Sequence, residues 1–220
     1  MTYAPTATAS ATARESARFW DRMADRYAKK PVPDEAVYQR KLAITRDYLR
    51  PDMEVLEIGC GTGSTAIAHA PHVRHVRAVD VSPRMVEIAT AKAGAAGVSN
   101  VSFEAASLDQ LPAGDGSRDA VLALSLLHLI DDWQGAVARI AAMLKPGGLF
   151  VSNTGCLADN MAWFRFVVPL GRLVGLMPLI RVFRQRDLER CLVANGFDVE
   201  YRWRPNDGTA VFIVARKRTA

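Results

Sequence analysis

Five short apolar runs, spaced by helical stretches, constrain the fold of this 220-residue chain more than any other feature. MEVLEI (53–58), VRAVD (76–80), VSFEA (101–105), DAVLAL (119–124) and LFVSN (149–153) each have the length and composition of a buried strand. Helical signals separate them, among them Ser82-Pro83, a cap followed by proline at the first helical position, opening a helix to about Ala93. A helix over 132–144 ends at Lys145-Pro146-Gly147-Gly148, and another is expected over 186–195. Strands that alternate with helices predict a doubly wound, parallel α/β sheet. Two more strands, 197–203 and 210–216, are linked only by Pro205-Asn206-Asp207-Gly208. That link is too short for a parallel crossover, so they must run antiparallel. The expectation is a seven-stranded, mostly parallel sheet with an antiparallel last strand.

Two helices precede the first strand. Residues 14–29 set Phe19, Trp20, Met23 and Tyr27 on one face, and a helix from about Asp34 to Leu49 carries Tyr38, Leu42, Thr45 and Leu49 as a stripe. The opening MTYAPTATASATA lacks the basic and apolar regions of a signal peptide and reads as a frayed tail. The expected organisation is a tail at 1–13, capping helices at 14–50 and one domain over 51–220 that carries an apolar insertion at 156–185. Cys60, Cys156 and Cys191 have no metal-like or redox spacing and read as reduced thiols, which predicts a cytoplasmic protein. The net charge of +5 is uneven: residues 151–220 hold 11 Lys/Arg against 6 Asp/Glu, while the rest balances. That is a local basic surface rather than a coat for DNA.

The stretch VLEIGCGTG (55–63) carries the chemistry. A structural turn needs one glycine or two; Gly59, Gly61 and Gly63 imply that something outside the chain approaches the backbone. A dinucleotide fingerprint would require glycine at 64, where Ser64 stands. Glu57, two residues before the first glycine, is badly placed for a pyrophosphate and well placed for a cation.

Taken together, Glu57-x-Gly59-x-Gly61-x-Gly63, the acid Asp80 in AVDVS, LPAGDGSRDAVLALSLLHLIDD (111–132) and LKPGG (144–148) resemble class I S-adenosylmethionine-dependent methyltransferases of the small-molecule, type 11/12-like kind. The resemblance covers roughly residues 50–153. It implies the Rossmann-like methyltransferase fold and S-adenosylmethionine as cofactor, with S-adenosylhomocysteine as product. It further implies cofactor contacts from Glu57, Gly59, Cys60, Gly61, Thr62, Gly63, Asp80, Val81, Met85, Ser107, Leu108 and Ser125, with Tyr27 as a lid. Glu57 would sit near the cofactor's positive charge and Asp80 would accept the two ribose hydroxyls, a strong clamp for a carboxylate. Relatives often carry an acid after the third strand to receive the adenine amino group, and alignment puts Ser107 there.

The implied reaction is an in-line displacement on the sulfonium methyl by an acceptor held in a site that excludes water. For a hydroxyl acceptor, His128 is the candidate base. His69, His72 and His75 do not suggest a metal site, because Pro71 breaks any helix that could align them. Cys60 reads as a small filler within the turn. In MAWFRFVVPLGRLVGLMPLIRVF (161–183), 16 of 23 residues are apolar, three are Arg and none is acidic. Arg172 and the two prolines disqualify it as a membrane span. It predicts extra packing against the sheet, a lid over a lipophilic acceptor or a peripheral membrane contact, in the latter two cases with Arg165, Arg172 or Arg181 meeting an acidic group or an anionic surface. Rival readings are a non-catalytic cofactor- or partner-binding member of the fold and an NAD-dependent oxidoreductase.

Overall fold

The structure is a computed structural model that describes residues 9–112 and 116–219. Its strands are β1 (Glu54–Ile58), β2 (His75–Asp80), β3 (Val101–Ala105), β4 (Arg118–Leu124), β5 (Leu144–Gly155), β6 (Phe197–Trp203) and β7 (Ala210–Lys217). Its helices are α1 (Ala11–Ala28), α2 (Glu35–Tyr48), α3 (Ser64–His69), α4 (Pro83–Ala95), α5 (Trp133–Met143), α6 (Phe164–Leu173) and α7 (Gln185–Ala194). The strands form one seven-stranded sheet of order β3-β2-β1-β4-β5-β7-β6, in which β7 runs antiparallel to both of its neighbours. The mostly parallel sheet with one reversed strand is as expected. The chain divides into two compact units, Met1–Ala113 and Gly114–Ala220.

In the first unit β1 pairs with β2, and β2 with β3, all parallel. Val55, Leu56, Ile58, Val76, Ala78 and Val79 are buried, as the two covered faces of a parallel sheet require. Helix α4 packs Met85, Ala89 and Ala93 inward, capped by the Ser82 hydroxyl accepting from Met85 N–H at 3.1 Å. Helix α2 opens on Asp34, whose carboxylate accepts from Val37 N–H at 2.9 Å.

Helix α1 begins at Ala11, three residues earlier than composition suggested; the rest of the expected tail, residues 1–8, lies outside the described residues. Ser10 explains the difference, because its hydroxyl caps Ala13 N–H and its own N–H donates to Asp109 at 2.9 Å. The tail composition hid a local cap. Asp21 then holds α1 against the start of α4, accepting from the Ser82 hydroxyl and from Arg84 N–H, while Asp25 pairs with the Arg84 guanidinium at 2.8 Å. An anion at a helix N-terminus is favoured by the unpaired N–H groups and the dipole there.

In the second unit the centre of β7, Val211 to Ala215, is fully buried between β5 and β6. Phe150 meets Phe197 at 5.7 Å, and Leu188 and Leu192 of α7 complete that core. Edge strand β6 alternates buried and exposed positions, and the Asp198–Arg218 and Glu200–Arg216 ion pairs place charge along it. Charged edges discourage pairing with another chain.

Candidate functional site

The turn after β1 is built by its glycines for two different reasons. Gly61 and Gly63 have φ of +53° and +75°. A Cβ on Gly63 would lie 2.8 Å from both the Ala89 Cβ and the Phe103 ring, so this glycine permits close helix–strand packing. A Cβ on Gly61 would meet nothing within 4 Å, so there the bare backbone faces open space. One glycine serves the fold and the other leaves room for a ligand. Gly59 and Cys60 donate their N–H groups to Val79 O at 2.8 and 3.0 Å, which lays the turn across the end of β2.

Asp80 closes the arrangement. Its two oxygens accept from Gly61 N–H at 2.8 Å and Ser82 N–H at 2.9 Å. Burial raises its pKa, and those two hydrogen bonds oppose the rise. Each oxygen keeps a further lone pair for a ligand hydroxyl. Glu57 is 2% exposed, and its Oε2 has no hydrogen-bond partner among the described residues. Burial, reinforced by the nearby Asp80 charge, pushes its pKa up to about 8. At neutral pH the ligand-free protein therefore holds Glu57 protonated. A buried carboxyl without a partner is costly, and a cation would relieve it.

The first unit thus brings together Glu57, Gly59, Cys60, Gly61, Thr62, Gly63 and Asp80. Thr62 is buried beneath Lys92 Nζ at 3.4 Å, and Cys60 is buried with its thiol pKa pushed up by desolvation, which suits a filler and not a nucleophile. Val81 follows Asp80 at the end of β2, and Met85 is buried in the first turn of α4. Tyr27 is half exposed, with its ring edge-on to Trp20 at 6.2 Å. Tyr38, which sequence reading left as a packing residue, comes against the turn. Burial raises its phenol pKa, the Thr65 side chain opposes that rise, and Glu57 adds to it.

Ser107 does not keep its hydroxyl for a ligand. The hydroxyl bonds to Asp109 and lies 2.9 Å from Gln110 Oε1, in a capping box over the short 3-10 turn Leu108–Gln110. Asp109 lies within that turn. Burial alone would raise its pKa, but the Ser107 hydroxyl and Ser10 N–H bonds hold it below the usual value.

In the second unit Ser125 follows β4 with φ of +59°, unusual for a residue with a side chain. Asn153 holds it there: Ser125 N–H donates to Asn153 O at 2.7 Å, and Asn153 Nδ2 donates to Ser125 Oγ at 3.0 Å. Asn153 Oδ1 is buried without a partner among the described residues. Strain and unmet polarity at a strand end are marks of a functional position. The signal in the sequence was Ser152-Asn153-Thr154, a polar triplet inside an apolar strand.

His128 receives a hydrogen bond from Gly155 N–H on Nδ1 at 3.2 Å, and burial lowers its pKa to about 4. A backbone N–H can only donate, so Nδ1 is the unprotonated nitrogen and the proton resides on Nε2. The geometry therefore gives a neutral imidazole with a donor at Nε2 and no free basic nitrogen. Proton uptake would have to occur at Nδ1, leaving both nitrogens protonated and breaking the Gly155 bond. The base expected at His128 has its one ring lone pair, on Nδ1, engaged by Gly155.

Arg181 is also committed, pairing with Asp131 and donating Nε to Asp131 O at 3.1 Å. His69, one of the three clustered histidines, is fully buried; burial lowers its pKa to about 4. His75 Nε2 lies 2.9 Å from Ser102 Oγ.

Residues 55–148 match the family model for a methyltransferase domain. The chain is 35% identical over 132 residues to an uncharacterised methyltransferase, YcgJ, of Bacillus subtilis (strain 168), across 60% of this chain and 52% of that protein. It is 32% identical over 116 residues to a ubiquinone biosynthesis O-methyltransferase of Methylocella silvestris, across 53% of this chain and 44% of that one. The chain spans about half the length of the curated relatives it matches. The crystal structure of YcgJ shares the fold with a TM-score of 0.69 at 22% identity, over 83% of this chain and all of that one. A geranyl diphosphate C-methyltransferase from Streptomyces coelicolor does so with a TM-score of 0.72 at 16% identity, over 97% of this chain and all of that one. Residues 55–148 are thus similar to methyltransferase domains, and the chain shares the fold of the YcgJ structure.

Proposed function

We propose that this protein transfers a methyl group from S-adenosylmethionine to a small, lipophilic acceptor. The observation that carries the cofactor half is the buried, unpartnered Glu57 Oε2 beside the open backbone of Gly61. Both features fit the family's cofactor: the carboxylate takes a cation, and the bare turn takes a close approach. Asp80 supplies two lone pairs for ribose hydroxyls, already oriented by Gly61 and Ser82 N–H. Tyr38 lies against the turn, within the field of Glu57 and bonded to the Thr65 side chain. Bound there, S-adenosylmethionine supplies an electrophilic sulfonium methyl that needs no covalent activation by the protein.

What the chain must add is acceptor orientation. His128 offers a neutral Nε2–H donor, and Asn153 Oδ1 an unpaired acceptor. Either group complements a hydroxyl or carbonyl substituent on an otherwise apolar molecule. Relatives named for ubiquinone biosynthesis and for demethylmenaquinone support lipophilicity.

Formation of S-adenosylhomocysteine is to be measured over quinol, isoprenoid and phenolic acceptors against polar acceptors of similar size. Turnover confined to the lipophilic set is the expected result, and turnover only on the polar set would refute the reading. With an acceptor in hand, His128→Ala is expected to lower kcat/KM about tenfold, the worth of one lost donor to a polar group. His128→Gln, which can still donate, should recover most of that loss. Neither variant should move the pH dependence of kcat between 6 and 8, since His128 titrates near 4. Loss of an ionisation from that profile would restore His128 as a base.

A further inference from the structure

Residues 157–183 form a loop closed at its neck. Ala158 N–H donates to Phe183 O at 3.1 Å, Phe183 stacks on Trp133 at 4.3 Å, and Arg181 N–H donates to His128 O at 2.7 Å. The tip carries α6 and turns back at Gly175, with Leu176 N–H donating to Gly171 O at 2.9 Å and Met177 packed over Gly171. This tip inverts the usual amphipathic pattern. Helix α6 buries only Val168. Trp163, Phe166, Leu170, Leu173, Val174 and Leu176 are 56–84% exposed. Phe166, Leu170 and Leu173 fall at i, i+4 and i+7, so they make one apolar stripe. A contiguous patch of large apolar side chains is a contact surface and not ordinary scatter.

Charge selects the contact. From Asn160 to Arg186 the chain has five arginines and no acid. Arg165 and Arg172, seven apart, run alongside the apolar stripe, and the Arg165 guanidinium lies over the Phe166 ring at 5.7 Å. A two-fold contact between copies of this chain through the tip would bring the same arginines together with no acid of the segment to meet them. An anionic lipid surface meets both the apolar stripe and its basic flank. At ten residues α6 is too short to cross a bilayer and long enough to lie in its interface.

We propose that α6, with Trp163 and Leu176, seats in the interface of an anionic bilayer, its apolar stripe immersed and its arginines at the headgroups. Trp163 sits at the level where aromatic rings favour the boundary between lipid and water. This holds whether or not the acceptor reading is right, because it rests on the tip alone.

The test is flotation of the full chain with vesicles of phosphatidylcholine alone and of phosphatidylcholine mixed with phosphatidylglycerol. Binding to the anionic vesicles, at least tenfold weaker on the neutral ones and weakened by added salt, is the expected result. Phe166→Ser with Leu170→Ser and Leu173→Ser should abolish flotation, with melting temperature and S-adenosylmethionine affinity unchanged. Arg165→Gln with Arg172→Gln should remove the preference for anionic lipid. The proposal is overturned if wild-type protein fails to float with anionic vesicles, or binds both vesicle types equally. It is also overturned if light scattering shows a dimer that the triple variant dissolves.

Discussion

Replacing Glu57 by Gln weakens S-adenosylmethionine binding about ten- to a hundredfold while raising the stability of the ligand-free protein at alkaline pH. The two effects have opposite sign because the carboxyl is a liability without a ligand. The amide removes a charge-assisted contact worth about 1.5–3 kcal/mol to the cation. In the empty protein the same change removes an acid whose pKa rises from its ordinary value of 4.5 to about 8. A raised acid pKa means that the folded chain holds a proton the unfolded chain has lost. Its contribution is therefore fully favourable below pH 4.5 and declines until about pH 8. Melting curves of wild type and Glu57→Gln should diverge across that window, the variant gaining as pH rises, and run parallel above it. Equal Kd values for the cofactor would remove Glu57 from the site.

The second large effect separates Gly61 from Gly63. Gly63→Ala forces a side chain into φ of +75° and sets a Cβ 2.8 Å from Ala89 and Phe103. Left-handed strain of about 1–2 kcal/mol and overpacking of about 1–3 kcal/mol combine there. At about 2–4 °C per kcal/mol for a chain of this size, the melting temperature should fall about 5–15 °C. Gly61→Ala carries the backbone strain alone, since its Cβ meets nothing. It should lower melting by only a few degrees yet weaken cofactor binding at least tenfold, because its methyl fills the ligand's approach. Thermal scanning with and without S-adenosylhomocysteine distinguishes the two. A Gly61→Ala variant that binds normally would make this turn purely structural.

The sheet was legible because its strands are apolar over their whole length and its helices are capped by short-range signals such as Ser82-Pro83 and Asp34. The reversed last strand followed from the length of one link, 205–208. The glycine turn was legible for the same local reason, since backbone freedom and a nearby acid are written in consecutive residues. What was missed depends on contacts between segments far apart in sequence. Asp21 looks like one charge on an exposed helix face until α4 presents its N-terminus. The carboxylate of Asp109 is fixed by Ser10, 99 residues away, and by a 3-10 turn, neither of which local spacing reveals. The role of His128 turned on one backbone N–H, that of Gly155, which no spacing rule anticipates. The tip around α6 was recognisable as apolar but not as outward-facing, because composition does not say which way a stripe points.

The Glu57 carboxyl is expected to stay protonated at pH 7 until a cationic cofactor arrives and displaces its proton. Calorimetric titration with S-adenosylmethionine at pH 7, in two buffers of different ionisation enthalpy, tests it most directly. The expected result is one-to-one binding with a heat that changes between buffers by the amount set by release of close to one proton, and Glu57→Gln abolishing that difference. No heat in either buffer, or tight binding with the same heat in both, would contradict it.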